Sequence, residues 1–249
     1  MDRFLTIENG KMSKRKLLIA STSTVCGKPY LAYLTGELEQ FFDGVDNIVF
    51  IPFARPGGIS YDDYSDIARK FFSRLGKKLI GIHESDDMME TLNECEGIFT
   101  GGGNTFVLLN ALYTHNLMEP LRKCVFAGIP YLGTSAGSNI LGISIQTTND
   151  MPVVYPPSFT ALGAVPFNVN PHYTDPDPDS KHMGETRETR IKEFLVFNDI
   201  TVAGLREGSY LIINDTKVKL GGDHSVRIFE KSKAPYELYP GSDFSFLLK

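Results

Sequence analysis

Five short apolar runs, Lys16 to Ser21, Asn47 to Phe53, Lys78 to Ile82, Gly97 to Thr100 and Ile129 to Leu132, each end in a polar or glycine-rich turn. Each turn leads into a helix-forming stretch, and that rhythm restricts the chain more than any other feature. Runs of this length without polar alternation read as strands buried on both faces, which require crossover helices and a mainly parallel sheet. Apolar residues at helical spacing fill Pro29 to Phe42, Ser60 to Leu75, Asp86 to Glu94 and the stretch from Phe106. The expected fold is therefore α/β: a doubly wound, mainly parallel, flavodoxin-like sheet with flanking helices. From Tyr210, short alternating strands around Asn214-Asp215 and Gly221-Gly222 read as an antiparallel edge. At 249 residues one domain from residue 16 to 249 is expected, preceded by a polar extension over residues 1–15.

The turns carry the chemistry. Gly133-Thr-Ser135-Ala-Gly137 has the G-x-S-x-G spacing of a nucleophile elbow, in which a serine on a sharp strand-to-helix turn projects into a cleft. One βα unit earlier, Gly101-Gly102-Gly103-Asn104-Thr105 offers free backbone donors with little bulk. It lacks the lysine of a phosphate loop and the G-x-G-x-x-G spacing of a dinucleotide site. Both loops fall at the C-terminal ends of parallel strands, where doubly wound folds bind ligands. Gly102 or Gly103, with Ala136, is thus the expected source of an oxyanion hole.

A serine nucleophile needs a base, and the base needs an orienting group. Of the five histidines, His83 ends a strand, while His115, His182 and His224 sit in connections or turns. His172 directly follows the strand read over Ala164 to Asn170. The carboxylates placed to orient it are Glu207, just past the strand Thr201 to Leu205, and Asp150 in a polar loop. Glu207 is preferred for its strand-end position. The order Ser, His, Glu, with no HGGG-type motif, excludes an α/β-hydrolase.

The net charge of -5 and the absence of a basic run beyond Lys11, Lys14, Arg15 and Lys16 give no sign of a nucleic-acid or membrane-surface partner. Cys26, Cys95 and Cys124 are scattered, and no apolar run nears the roughly 20 residues of a membrane span. A reducing cytoplasmic setting is expected, without metal or other cofactor. The acidic run Asp175 to Ser180 reads as an exposed turn rather than a cation site. Oligomeric state stays open, a homodimer being one outcome.

These motifs together resemble peptidase E, the α-aspartyl dipeptidases. The resemblance rests on Ile-Pro-Phe at 51–53, Gly-Gly-Gly-Asn-Thr-Phe at 101–106, Ser-Ala-Gly at 135–137 and Thr-Thr-Asn-Asp-Met-Pro at 147–152. Asn-Pro-His at 170–172, Gly-Glu-Thr-Arg at 184–187 and Glu-Gly at 207–208 complete it. It implies a fold like that of class I glutamine amidotransferases, with serine in place of their cysteine, and a dipeptide with N-terminal aspartate as the small-molecule substrate. Ser135 then corresponds to the nucleophile, His172 to the base and Glu207 to its orienting group. Asp150 is the alternative third member, or a partner of the substrate's amino group. Arg187 corresponds to the receptor of the aspartyl carboxylate. Thr134 stands where a tryptophan is often seen, and the acidic loop after His172 is slightly longer than in bacterial relatives. Two rival expectations are a cyanophycinase-like peptidase acting on aspartyl-arginine polymer and a catalytically silent binding protein.

Overall fold

The computed structural model describes residues 15–177, 179, 181 and 184–248. His182, Lys11, Lys14 and nearly all of the N-terminal extension lie outside the described residues, as does part of the acidic loop. In the main sheet, β1 (Lys16–Ala20), β2 (Asn47–Ile51), β3 (Lys78–Gly81), β4 (Gly97–Thr100) and β5 (Tyr131–Thr134) run parallel. The hairpin β8 (Tyr210–Asn214) and β9 (Lys217–Gly221) adds the antiparallel edge, giving the order β3-β2-β4-β5-β1-β8-β9.

Side-chain alternation along these strands builds a core on each face. Leu18, Ala20, Phe50, Phe99 and Leu132 point to one side. There they meet α1 (Thr35–Phe41) and α2 (Tyr61–Arg74) through Leu38, Phe41, Tyr64, Ala68 and Phe72. Leu17, Ile19, Val49, Ile51 and Ile98 point to the other, against Leu108, Leu109 and Leu112 of α4 (Thr105–Thr114) and Leu121 and Val125 of α5 (Met118–Phe126). The smaller α3 (Met88–Asn93) packs beside them through Leu92. Burying each such leucine or phenylalanine contributes about 1.5–3 kcal/mol. Side chains fix the helix starts: Ser60, Asp87, Asn104 and Thr186 each accept from a backbone N–H in the first turn that follows.

Three expectations need correction. Pro29 to Phe42 is a single 3-10 turn, Ala32–Leu34, followed by α1. Leu31 breaks it, held at φ +54° with its N–H donated to the Ser23 carbonyl. The helix α5 went unread, although Leu117, Leu121 and Val125 repeat at four-residue spacing. Finally, β8 and β9 form the expected antiparallel edge, but the other strands after the elbow do not extend the main sheet, because β1 is already paired by β5 on one side and β8 on the other. They instead form a second sheet in the order β11-β10-β7-β6, from β6 (Asn168–Asn170), β7 (Val202–Leu205), β10 (Val226–Phe229) and β11 (Tyr236–Leu238). The strand expected from Ala164 begins only at Asn168, since Pro166 has no N–H to give to a ladder.

The second sheet is tied to α7 (Arg187–Phe197) by charge. Arg206 bridges Asp175 and Glu237, and Arg227 bridges Glu237 and Glu188. Burial would raise the Glu237 carboxyl, but hydrogen bonds from Arg206, Ser225 and Arg227 outweigh it and hold the group at about 2. The unfolded value is about 4.3. A depressed carboxylate contributes stability above its unfolded value and loses it as pH falls toward the folded one. Thermal midpoints measured from pH 5 down to pH 2 should therefore decline, and Glu237→Gln should flatten that decline between about pH 4.3 and 2. Parallel curves for the two proteins would show that Glu237 does not carry it.

Candidate active site

Strand ends from both sheets meet at one place. Ser135, between β5 and the four-residue helix α6 (Ala136–Asn139), sits at φ +52°, ψ −110°. A non-glycine residue there costs about 1–3 kcal/mol and persists only where neighbours enforce it. They do: Ser135 donates its N–H to the Ala20 carbonyl at 3.1 Å, and its own carbonyl accepts from Ser138 and Asn139 at 2.9 Å each.

His172, just past β6, is also in the left-handed region at φ +52°. Its N–H donates to Ser21 Oγ at 2.8 Å, and the Ser21 hydroxyl donates to the Leu205 carbonyl at 2.8 Å. Ser21, fully buried at the end of β1, thereby fastens the ends of β6 and β7 to the main sheet. That staple aims the imidazole. His172 Nε2 lies 2.9 Å from Ser135 Oγ, and Nδ1 lies 2.6 Å from Glu207 Oε1. A carboxylate only accepts, so Nδ1 carries the proton and Nε2 of the neutral ring is left to accept from the serine hydroxyl.

The glycine loop flanks Ser135, and its donors are mostly spoken for. Gly101 donates to the Ile51 carbonyl, Asn104 to the Ala54 carbonyl, and Gly102 to the hydroxyl of Tyr64 at 2.9 Å. Gly102 is therefore not an available oxyanion donor. Among the described residues the N–H groups of Gly103 and Ala136 have no acceptor. Gly103 is held at φ +147°, where a Cβ would come 2.2 Å from the Ala54 carbonyl oxygen, so no other residue fits.

Asp150 lies apart from the imidazole. Its Oδ2 accepts from Thr105 N–H at 2.7 Å, the Thr105 hydroxyl at 2.6 Å and the Thr148 hydroxyl at 3.0 Å. It thus closes the first turn of α4, directly after the glycine loop. Both ring nitrogens of His172 are engaged by Ser135 and Glu207, so Asp150 is outside that line of hydrogen bonds. Arg187 opens α7, half-buried, with Nη1 buried and without a partner. Burial lowers its pKa, and the charges of Glu207 and Asp150 work in the opposite direction. An arginine at such a site stays charged, which leaves a buried cationic N–H without an acceptor within electrostatic reach of Glu207 and Asp150.

The family profile described as Peptidase family S51 matches residues 17–221. The chain belongs to that family. It is 46% identical over 232 residues to Peptidase E of Streptomyces coelicolor, an alignment covering 93% of this chain and 94% of that one. A Drosophila melanogaster protein named "Probable alpha-aspartyl dipeptidase" is 43% identical over 240 residues, covering 95% and 99% respectively. The solved structure of a peptidase from an acI-B1 Actinobacterium superposes with a TM-score of 0.71 at 18% identity, covering 94% of this chain and 98% of that one. That last likeness is one of fold.

Several residues that shape the site of this S51 peptidase escaped the sequence reading. Asn149 donates to the Pro171 carbonyl at 2.7 Å, and Asn170 donates to the Thr147 carbonyl and to Asn149 Oδ1. The loop that places Asp150 on the glycine turn thus also grips the His172 turn. The remaining described histidines are elsewhere: His83 pairs with Asp62, His115 stacks on Phe53, and the His224 carbonyl accepts from Ser209. Asp62, His83 and Glu84 are close enough together to hold a cation. Glu84, however, is already committed to Arg69 and to the Gly81 N–H, so the cluster has its own compensation. In the acidic loop, Asp175 is spent on Arg206. No described helix is long and apolar enough to cross a membrane.

Proposed function

We propose that this S51 peptidase hydrolyses dipeptides with an N-terminal aspartate through an acyl-enzyme on Ser135. The carrying observation is the unbroken line Glu207, His172, Ser135 beside two unoccupied backbone donors and an unpaired guanidinium. In this reading His172 takes the Ser135 proton as Oγ attacks the aspartyl carbonyl, and Glu207 stabilises the imidazolium that forms. Negative charge on the carbonyl oxygen falls to the N–H groups of Gly103 and Ala136, with the dipole at the helix start adding to them. His172 then protonates the departing amine. Water, deprotonated by the same imidazole, releases aspartate.

Arg187 takes the aspartyl side-chain carboxylate. Two parallel N–H bonds match that group, and a neutral or longer side chain leaves the half-buried cation unsatisfied. Asp150 keeps Oδ1 without a donor among the described residues, which suits it to the substrate's ammonium group. The names of the relatives support this reading over a polymer-degrading or a silent protein. Three unbridged cysteines support a cytoplasmic setting.

Steady-state cleavage of Asp-Leu beside Ala-Leu, Glu-Leu and N-acetyl-Asp-Leu tests the reading. Asp-Leu alone should turn over. Arg187→Ala should lower kcat/KM for Asp-Leu by roughly 1.5–3 kcal/mol, about ten- to a hundred-fold. Equal values for variant and parent would take the aspartyl carboxylate away from Arg187.

A further inference from the structure

Arg187 is not the sole unpaired arginine beside the cleft. Arg55 follows β2, and the carbonyl of the preceding residue, Ala54, is the one pressed against Gly103 and bonded by Asn104. Its guanidinium lies over the ring of Tyr64, 4.7 Å from the centroid. Tyr64 is the residue whose hydroxyl takes the Gly102 N–H. Arg55 is therefore one aromatic ring away from the glycine loop that flanks Ser135. Among the described residues it has no carboxylate within 4.0 Å, and its Nε is buried without an acceptor. The hydroxyl of Tyr30, whose ring meets that of Tyr64 edge-on at 6.5 Å, is buried beside them and interacts with the Tyr64 hydroxyl and the Arg55 charge. The orphaned cationic donor of Arg55 leaves the need for an anion unmet, because a buried donor without an acceptor carries a desolvation cost.

The two arginines neighbour residues that belong to different faces of the main sheet. Arg187 is within electrostatic reach of Asp150, which closes α4 on one face of the main sheet. Arg55 rests on Tyr64, which belongs to the core of the other face. An Asp-Xaa dipeptide has two carboxylates, one on each side of its scissile bond. With the aspartyl carboxylate on Arg187, the second still needs a cationic partner across the scissile bond.

We infer that Arg55, stacked on Tyr64, binds the free α-carboxylate of the departing residue and so restricts the enzyme to dipeptides. This rests on the Asp-Xaa reading above. A planar guanidinium fixed on an aromatic face is pre-organised for a bidentate carboxylate, and a peptide continuing past the second residue has no charge there to offer.

The test compares Asp-Leu with Asp-Leu amide, which removes only the terminal charge, on wild type, Arg55→Gln and Arg55→Lys. Wild type should prefer the free acid by about ten- to a hundred-fold in kcat/KM, the scale of a charge-assisted hydrogen bond. Arg55→Gln should lose most of that preference by slowing Asp-Leu far more than the amide. Arg55→Lys, which keeps the charge without the fork, should retain part of it, and it carries the comparison should glutamine not fold. Equal wild-type rates on acid and amide would overturn the subsite and leave the Asp-Xaa reading standing. So would an equal fall on both substrates in Arg55→Gln, which would place Arg55 on the aspartyl half or in loop support. Wild-type silence toward both substrates would remove the Asp-Xaa reading itself, and the subsite with it.

Discussion

Ser135→Ala is expected to lower kcat for Asp-Leu by about 10⁴-fold or more while the protein stays folded. Loss of an attacking oxygen cannot be offset by its neighbours, and what survives in such variants is the smaller contribution of binding and oxyanion stabilisation. The structural cost is modest. Alanine keeps the Cβ, and only the Oγ contact with His172 Nε2 at 2.9 Å is lost, worth about 1 kcal/mol. Backbone strain offers a second reading of the same site. At φ +52° an alanine remains strained, whereas glycine does not. Ser135→Gly should therefore be equally inactive yet melt above Ser135→Ala, by about 1 kcal/mol at most. Substantial Asp-Leu turnover by either variant, measured against a buffer blank, would remove Ser135 from the reaction.

How much of this could be read from residues alone follows from where each residue's partners lie. Four of the five parallel strands were legible because burial on both faces leaves continuous apolar runs such as Leu17 to Ala20, while the edge strand β3 stood out by its place between two helical stretches. The second sheet was not, since nothing local records that β8, from the end of the chain, has taken the free edge of β1. Ser135, His172 and Glu207 stood out because each sits one or two residues past a strand, and strand ends of both sheets converge. Their supports stayed hidden. Ser21 looks like any serine in a polar turn, and its meaning comes from Leu205, 184 positions away. Tyr64 looks like a core aromatic on an amphipathic helix, and its hydroxyl decides which glycine keeps a free N–H. Asp150 drew attention as a carboxylate near the right motifs, but its fixed partners are the hydroxyls and N–H of Thr105 and Thr148.

That difference in partners predicts opposite kinetics for two isosteric changes. Glu207→Gln replaces an obligate acceptor with a group that also donates. The amide NH₂ facing Nδ1 favours the ring tautomer with its proton on Nε2, which then cannot accept from Ser135, and the charge that stabilises the imidazolium is gone. A loss in kcat of about 10²- to 10⁴-fold with little change in KM is expected. Asp150→Asn leaves His172 and its two bonds untouched. It weakens the hold on the first turn of α4 and removes the charge offered to the substrate's ammonium group, so it should act mainly on KM and on the thermal midpoint. Measuring both variants on Asp-Leu under one set of conditions separates the two carboxylates: a larger kcat loss in Asp150→Asn than in Glu207→Gln would reverse their roles. Short-range geometry favours Glu207, because orienting an imidazole requires direct contact with Nδ1, and at 2.6 Å Glu207 has it.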